Sequence, residues 1–99
     1  MKKTAMYVIV RCTQAGVHAG EFVKQEGTHV TLKNARRLWK WFSRFSLTDL
    51  ATEGPRQDKI SENWYSMPAK EIKLLDACEI ITCTAEGEKG IRAVPNANK

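Results

Sequence analysis

The sequence predicts an α+β fold that is mainly β: a small antiparallel sheet curled into a barrel or sandwich, with one short helix. Three observations predict it. Short β-branched and aromatic runs recur between turn residues from Tyr7 onward. Residues 46–54 alone carry both a clear helix start and a clear helix stop. With 99 residues the chain has room for one thin core, and an open sheet of that size leaves edges that homo-oligomerisation would cover.

Residues 7–12, Tyr-Val-Ile-Val-Arg-Cys, read as the first strand, and Thr13-Gln14-Ala15-Gly16 turns the chain. Residues 17–24 form the second strand, in which Gly20 marks a bulge or a close backbone approach. After Glu26-Gly27, residues 28–33 alternate cleanly, with Val30 and Leu32 inward. Residues 34–45 read two ways. Leu38, Trp41, Phe42 and Phe45 share one helical face, with Asn34 as a cap. As a strand, Arg37, Trp39 and Trp41 share one face, and Arg36, Leu38, Lys40 and Phe42 the other. The aromatic content tips the segment towards strand.

Ser46 then caps a helix of about two turns, with Asp49 three residues on and Gly54-Pro55 as its stop. Residues 55–68 are a polar loop holding Trp64 and Tyr65, aromatics that either pin it to the core or project to a partner; pinning is the favoured reading. Residues 71–75 and 77–83 are two strands or one long bent strand. Residues 86–94 hold a helical turn weakened by Gly87 and Gly90. One domain spans 1–99, ordered over about 5–94 with a tail frayed from Pro95.

The chain carries 16 Lys and Arg against 11 Asp and Glu, a net +5. The excess lies in residues 1–45, with nine bases and two acids; residues 46–99 hold seven bases and nine acids. A basic half is a footprint for an anion, most often phosphate, or simply a solvated face. The cysteines Cys12, Cys78 and Cys83 are odd in number and form no C-x-x-C. The apolar start breaks at Arg11, too soon for a signal peptide, so reduced thiols in a cytosol are expected. No run approaches the ~20 apolar residues of a membrane span, and no membrane partner is expected.

The chemistry favours binding over catalysis. His18 and His29 stand eleven residues apart with no cysteine pair nearby, so neither a metal nor a cofactor is expected. Cys12 or Cys78 as a nucleophile would need a base such as His18 and a third orienting group; both read equally well as small hydrophobes. The strongest local feature is Lys33-Asn34-Ala35-Arg36-Arg37-Leu38-Trp39-Lys40-Trp41, four cations interleaved with two indoles. Guanidinium grips phosphate in bidentate fashion, and an indole stacks on a base. The strand reading puts Arg37, Trp39 and Trp41 on one such face; the helix reading sends Trp41 into the core. The competing account makes both indoles core and lays the arginines along the surface. Ala15-Gly16-Val17-His18-Ala19-Gly20 adds glycines that let a backbone approach a ligand, or simply form a bulged hairpin. The candidate ligand-binding residues are therefore Arg36 and Arg37 for phosphate, Trp39 or Trp41 for stacking, and His18 as a neighbouring-strand donor. Lys33 and Arg11 add positive charge.

Several segments together resemble a family of small tailed-phage proteins known as a domain of unknown function. They are Tyr7-Val8-Ile9-Val10-Arg11, Ala15 to Gly20, Leu32 to Trp41, and Ser46-Leu47-Thr48-Asp49-Leu50-Ala51-Thr52-Glu53-Gly54. Glu71-Ile72 and Glu79-Ile80-Ile81 fit the same pattern, and the similarity covers roughly residues 7–84. The chain departs from it at Phe42-Ser43-Arg44-Phe45, where the family carries small residues. The resemblance implies a phage origin and the host cytoplasm, and it supports a strand over residues 35–41. By analogy with small phage proteins that act against host immunity, it suggests a homo-oligomer sequestering a nucleotide-type signal without catalysis. The alternative is a module that binds a host protein or single-stranded nucleic acid as an inhibitor or regulator. A weaker reading is an enzyme cleaving a nucleotide signal, with His18 or His29 as its base.

Overall fold

A computed structural model describes residues 6–97. Residues 1–5, which include the expected opening of the ordered core at residue 5, and the last two residues of the expected frayed tail lie outside these. The chain runs β1 (Tyr7–Cys12), β2 (Val17–Glu26), β3 (His29–Lys40), α1 (Leu47–Glu53), a 3-10 segment (Gln57–Glu62), β4 (Trp64–Tyr65), β5 (Ala69–Leu74), β6 (Ala77–Thr82) and α2 (Ala85–Ala93). The strands form one antiparallel sheet ordered β4-β3-β2-β1-β6, with β5 also paired to β3.

The mainly-β, antiparallel expectation therefore stands, and closure into a barrel does not. Among the described residues no ladder joins β6 back to β5 or β4. Instead the chain itself crosses from one edge to the other, since β5 lies on β3 and β6 on β1 with only Leu75 and Asp76 between them. That crossing is tied down by Thr28, whose hydroxyl donates to the Leu75 carbonyl at 3.2 Å. The Asp76 carbonyl in turn accepts from the Thr13 N–H at 3.2 Å.

The sheet buries apolar side chains on both faces. On one, Tyr7, Ile9, Ala19, Leu38 and Tyr65 pack against Leu47, Leu50 and Ala51 of α1 and Ile91 of α2. On the other, Val8, Val10, Cys12, Val30, Leu32, Ala35 and Leu74 form a second core that the curl of the strands encloses. The curl is built at a bulge. Glu21 lies opposite Lys33 and Ala19 opposite Arg36, so Gly20 alone faces both Asn34 and Ala35. Asn34 takes the left-handed φ of 50° that this requires, and its amide donates to Glu21 Oε2 at 3.1 Å. A side chain on Gly20 would press to 2.9 Å from the Ala35 backbone, which is why glycine stands there.

This bulge decides the ambiguous segment. Residues 34–40 continue the third strand rather than start a helix, and the strand stops at Lys40. The extra residue also exchanges the faces. Leu38, which would otherwise join Val30 and Leu32, turns to the helix side instead. Two further expectations need correction. Among the described residues there are two α-helices, because Gly87 and Gly90 are contact points rather than breakers: a Cβ on Gly87 would meet the Ala51 carbonyl of α1 at 1.9 Å. Thr84 caps α2, accepting from Gly87 N–H at 3.0 Å and donating to the Thr52 carbonyl at 2.7 Å. The 55–68 stretch also contains regular structure, ending in β4 beside β3. At the C-terminus, Ala97 N–H donates to the Tyr65 carbonyl at 2.9 Å.

Candidate functional site

The two neighbouring arginines of β3 take opposite positions. Arg36 points to the helix side and is 3% exposed. Its Nε donates to the Ser66 carbonyl, Nη1 to the Ile91 carbonyl at the end of α2, and Nη2 to Asn96 Oδ1, all at 2.9–3.0 Å. The guanidinium also lies 5.3 Å from the Tyr65 ring centre. Arg36 thus caps α2 and joins three segments, with little left to offer a phosphate.

Arg37 faces outward. Its backbone is clamped, the N–H donating to Ser66 Oγ at 2.8 Å and the carbonyl accepting from Ser66 N–H at 2.9 Å. Among the described residues its side chain makes no ion pair. Trp39 follows on the same face and is 73% exposed. It is itself a bulged residue, because Leu38 and Lys40 face the adjacent Tyr65 and Trp64 of β4 with Trp39 unmatched between them. Arg37 and Trp39 line one cavity of about 260 Å³ with Trp64, Tyr65, Ser66 and Ala97.

Trp64, 38% exposed, is the second indole of this cavity, not Trp41. Trp41 lies past the strand end and packs half-buried against the helix-side core. The sequence pattern places Trp64 and Tyr65 in a loop and favours both as pins to the core. In fact Tyr65, its neighbour, is the pin, and strand alternation turns Trp64 out. Lys40 adds a cation 5.1 Å from the Trp64 ring centre. Phe42 N–H donates to Asn63 Oδ1 at 2.9 Å, holding the approach to β4 against the end of β3.

His18 sits opposite Arg37 across the β2–β3 ladder. It is 1% exposed, and neither ring nitrogen has a hydrogen-bond partner among the described residues. Burial lowers its pKa to about 4, and the Arg37 charge pushes the same way. The imidazole is therefore neutral and enclosed behind the arginine. Lys33 and Arg11 lie apart from the cavity: Lys33 faces Glu21 and Glu71 in the ladders, and Arg11 Nε pairs with Glu79 Oε1 at 2.9 Å. The glycine-flanked 15–20 segment approaches its own sheet rather than a ligand site, through Gly20 and Ala35.

A larger concavity of about 510 Å³ lies between Arg44 and Asp58, but its arginines are matched, Arg44 with Glu53 at 3.6 Å and Arg56 with Asp58 at 2.6 Å. It offers an anion little net charge. Burial raises the thiol pKa of Cys12, and that of Cys83 to about 12, so both stay protonated at neutral pH. Among the described residues no cluster of three His, Cys, Asp or Glu is placed to hold a metal ion, and no helix is long and apolar enough to cross a membrane.

In comparison with known proteins, a family model described as Domain of unknown function (DUF6948) matches residues 5–91. No curated protein matches, and no solved structure does.

Proposed function

The chain belongs to that domain-of-unknown-function family, which carries no assigned activity, and we propose that it is a non-catalytic binding module for ligands that join a planar ring to phosphate, the nucleotide class. One observation carries this reading: an unmatched guanidinium beside two solvent-facing indoles in one cavity. Stacking a base on an aromatic side chain contributes about 1–3 kcal/mol. Arg37 supplies the bidentate phosphate partner, and its backbone clamp to Ser66 limits what is lost on ordering it. The ring needs an apolar slot and the phosphate a cation, and the cavity holds both side by side.

Catalysis has less support. The cavity lining contains no carboxylate, and the imidazole behind it is enclosed and neutral. The setting we propose is the one the phage resemblance implies: a phage-encoded protein of the host cytoplasm that withholds a nucleotide-type immune signal by stoichiometric capture. Homo-oligomerisation belongs to the same proposal, supported by β6, an edge strand that pairs only with β1 among the described residues. The second reading, a single-stranded nucleic acid across the same surface, draws on the openness of Trp39.

Titration of intrinsic tryptophan fluorescence with guanosine and adenosine monophosphates tests the proposal. Saturable quenching is expected, with affinity reduced at least tenfold in Arg37→Ala and in Trp39→Ala. Unchanged affinity in Arg37→Ala would overturn it. A steep loss of affinity for oligonucleotides as salt rises would favour the strand reading.

A further inference from the structure

Arg37 also forms part of the wall of a second concavity, of about 520 Å³, that shares no other lining residue with the first. The two hollows differ in chemistry. The first, at about 260 Å³, takes a single ring system against Trp39 and Trp64 and is too small for a whole drug-sized ligand. The second is lined by Gln14 and Ala15 of the β1–β2 turn, by Lys73 of β5, and by Leu75 and Asp76 of the β5–β6 crossing. Leu75 is 59% exposed, a large apolar side chain that the packing of the fold does not use.

We propose that the second hollow is a second base subsite and that the ligand is two nucleoside units joined by one phosphate bridge held on Arg37. The inference rests on the binding reading given above. Its geometry follows from Arg37, the one residue that lines both hollows: a phosphate on that guanidinium borders each of them. The polar groups specify what enters the second slot. Asp76 Oδ2 accepts from the Gln14 N–H at 3.1 Å, and among the described residues the other carboxylate oxygen takes no hydrogen bond. A carboxylate accepts from the N–H groups on a base edge, and Lys73 in the same lining balances its charge. The Gln14 side-chain amide, which has no partner among the described residues, offers one donor pair and one acceptor beside it. Leu75 and Ala15 supply the apolar support for the ring. The crossing that presents Leu75 and Asp76 is anchored to both neighbouring turns, so the subsite is preformed.

Calorimetric titration of the full chain with guanosine monophosphate, the dinucleoside monophosphate GpG and a ten-residue single strand holding one GpG step between uridines tests this. GpG is expected to bind at least tenfold more tightly than the mononucleotide, although it carries less charge. Gln14→Ala and Leu75→Ala should each erase that advantage while leaving mononucleotide affinity within twofold. Both side chains are exposed and are not required for the fold. Equal affinity for mononucleotide and GpG, with binding lost in Arg37→Ala, would overturn the second subsite and leave the single-site reading standing. Absence of binding by all three probes would overturn both. Given the GpG advantage, equal molar affinity for GpG and the oligomer identifies a free dinucleotide as the ligand, and a much tighter oligomer identifies an internal step of a strand.

Discussion

Two adjacent arginines show how much one residue's placement decides. Arg36 is enclosed and satisfies carbonyls from Ser66 and Ile91 together with Asn96; Arg37 is open and unmatched. Arg36→Ala leaves the buried Ile91 carbonyl and the half-buried Ser66 carbonyl without this donor and is expected to cost on the order of 3 kcal/mol in denaturant unfolding. Arg37→Ala should stay within about 0.5 kcal/mol of the parent, as surface substitutions do. Equal losses would contradict the assignment. His18 makes a pH prediction. Its folded pKa of about 4 lies below the ordinary value of 6.5. Between those values the unfolded chain binds a proton that the folded chain does not, so stability rises with pH across that window and is flat above it. The span is about 3 kcal/mol. Urea midpoints at pH 4.5 and 7.5 read it, and His18→Leu should flatten the slope; an unchanged slope in that variant would assign the effect elsewhere.

At the scale of elements, the informative feature is β3. Its alternation, with Arg37 and Trp39 on one face and Arg36 and Leu38 on the other, was legible in the sequence. Which face meets solvent was not, because that depends on one extra residue at Asn34 and a second at Trp39. A bulge leaves no hydrophobic period to read; it changes the phase between two stretches that each look regular. Trp41 was misplaced for the same reason, and Trp64 because a two-residue strand is too short to show alternation. The helix ends were legible where caps spell them out, as at Ser46, Asp49 and Gly54. The glycines of α2 were not, since only the path of α1 shows why they are there. Helix propensity alone says Gly87→Ala gains about 1 kcal/mol. The Ala51 carbonyl at 1.9 Å from the new Cβ says the reverse, and thermal unfolding is expected to show a net loss. A stabilised Gly87→Ala variant would mean that α1 and α2 do not pack as described.

Over the whole molecule, one curled sheet with a core on each face lets 99 residues present a rigid outer surface. The helix-side core fixes Tyr65 and Leu38, and these fix β4 against β3, so the two indoles are carried on paired backbone rather than on free loops. The basic half of the sequence reaches this surface only in part, through Arg37 and Lys40, while Arg11, Lys24 and Arg44 are matched by acids. Charge asymmetry along the chain thus does not by itself mark a site, because most of these cations are matched or enclosed where they fold. The most direct measurement of the central claim follows the three indole N–H resonances of Trp39, Trp41 and Trp64 during a titration with guanosine monophosphate. The account predicts that the Trp39 and Trp64 signals move together along one saturable curve while Trp41 stays in place. Movement of Trp41 alone, or no movement of Trp39 and Trp64 at saturating nucleotide, would contradict it.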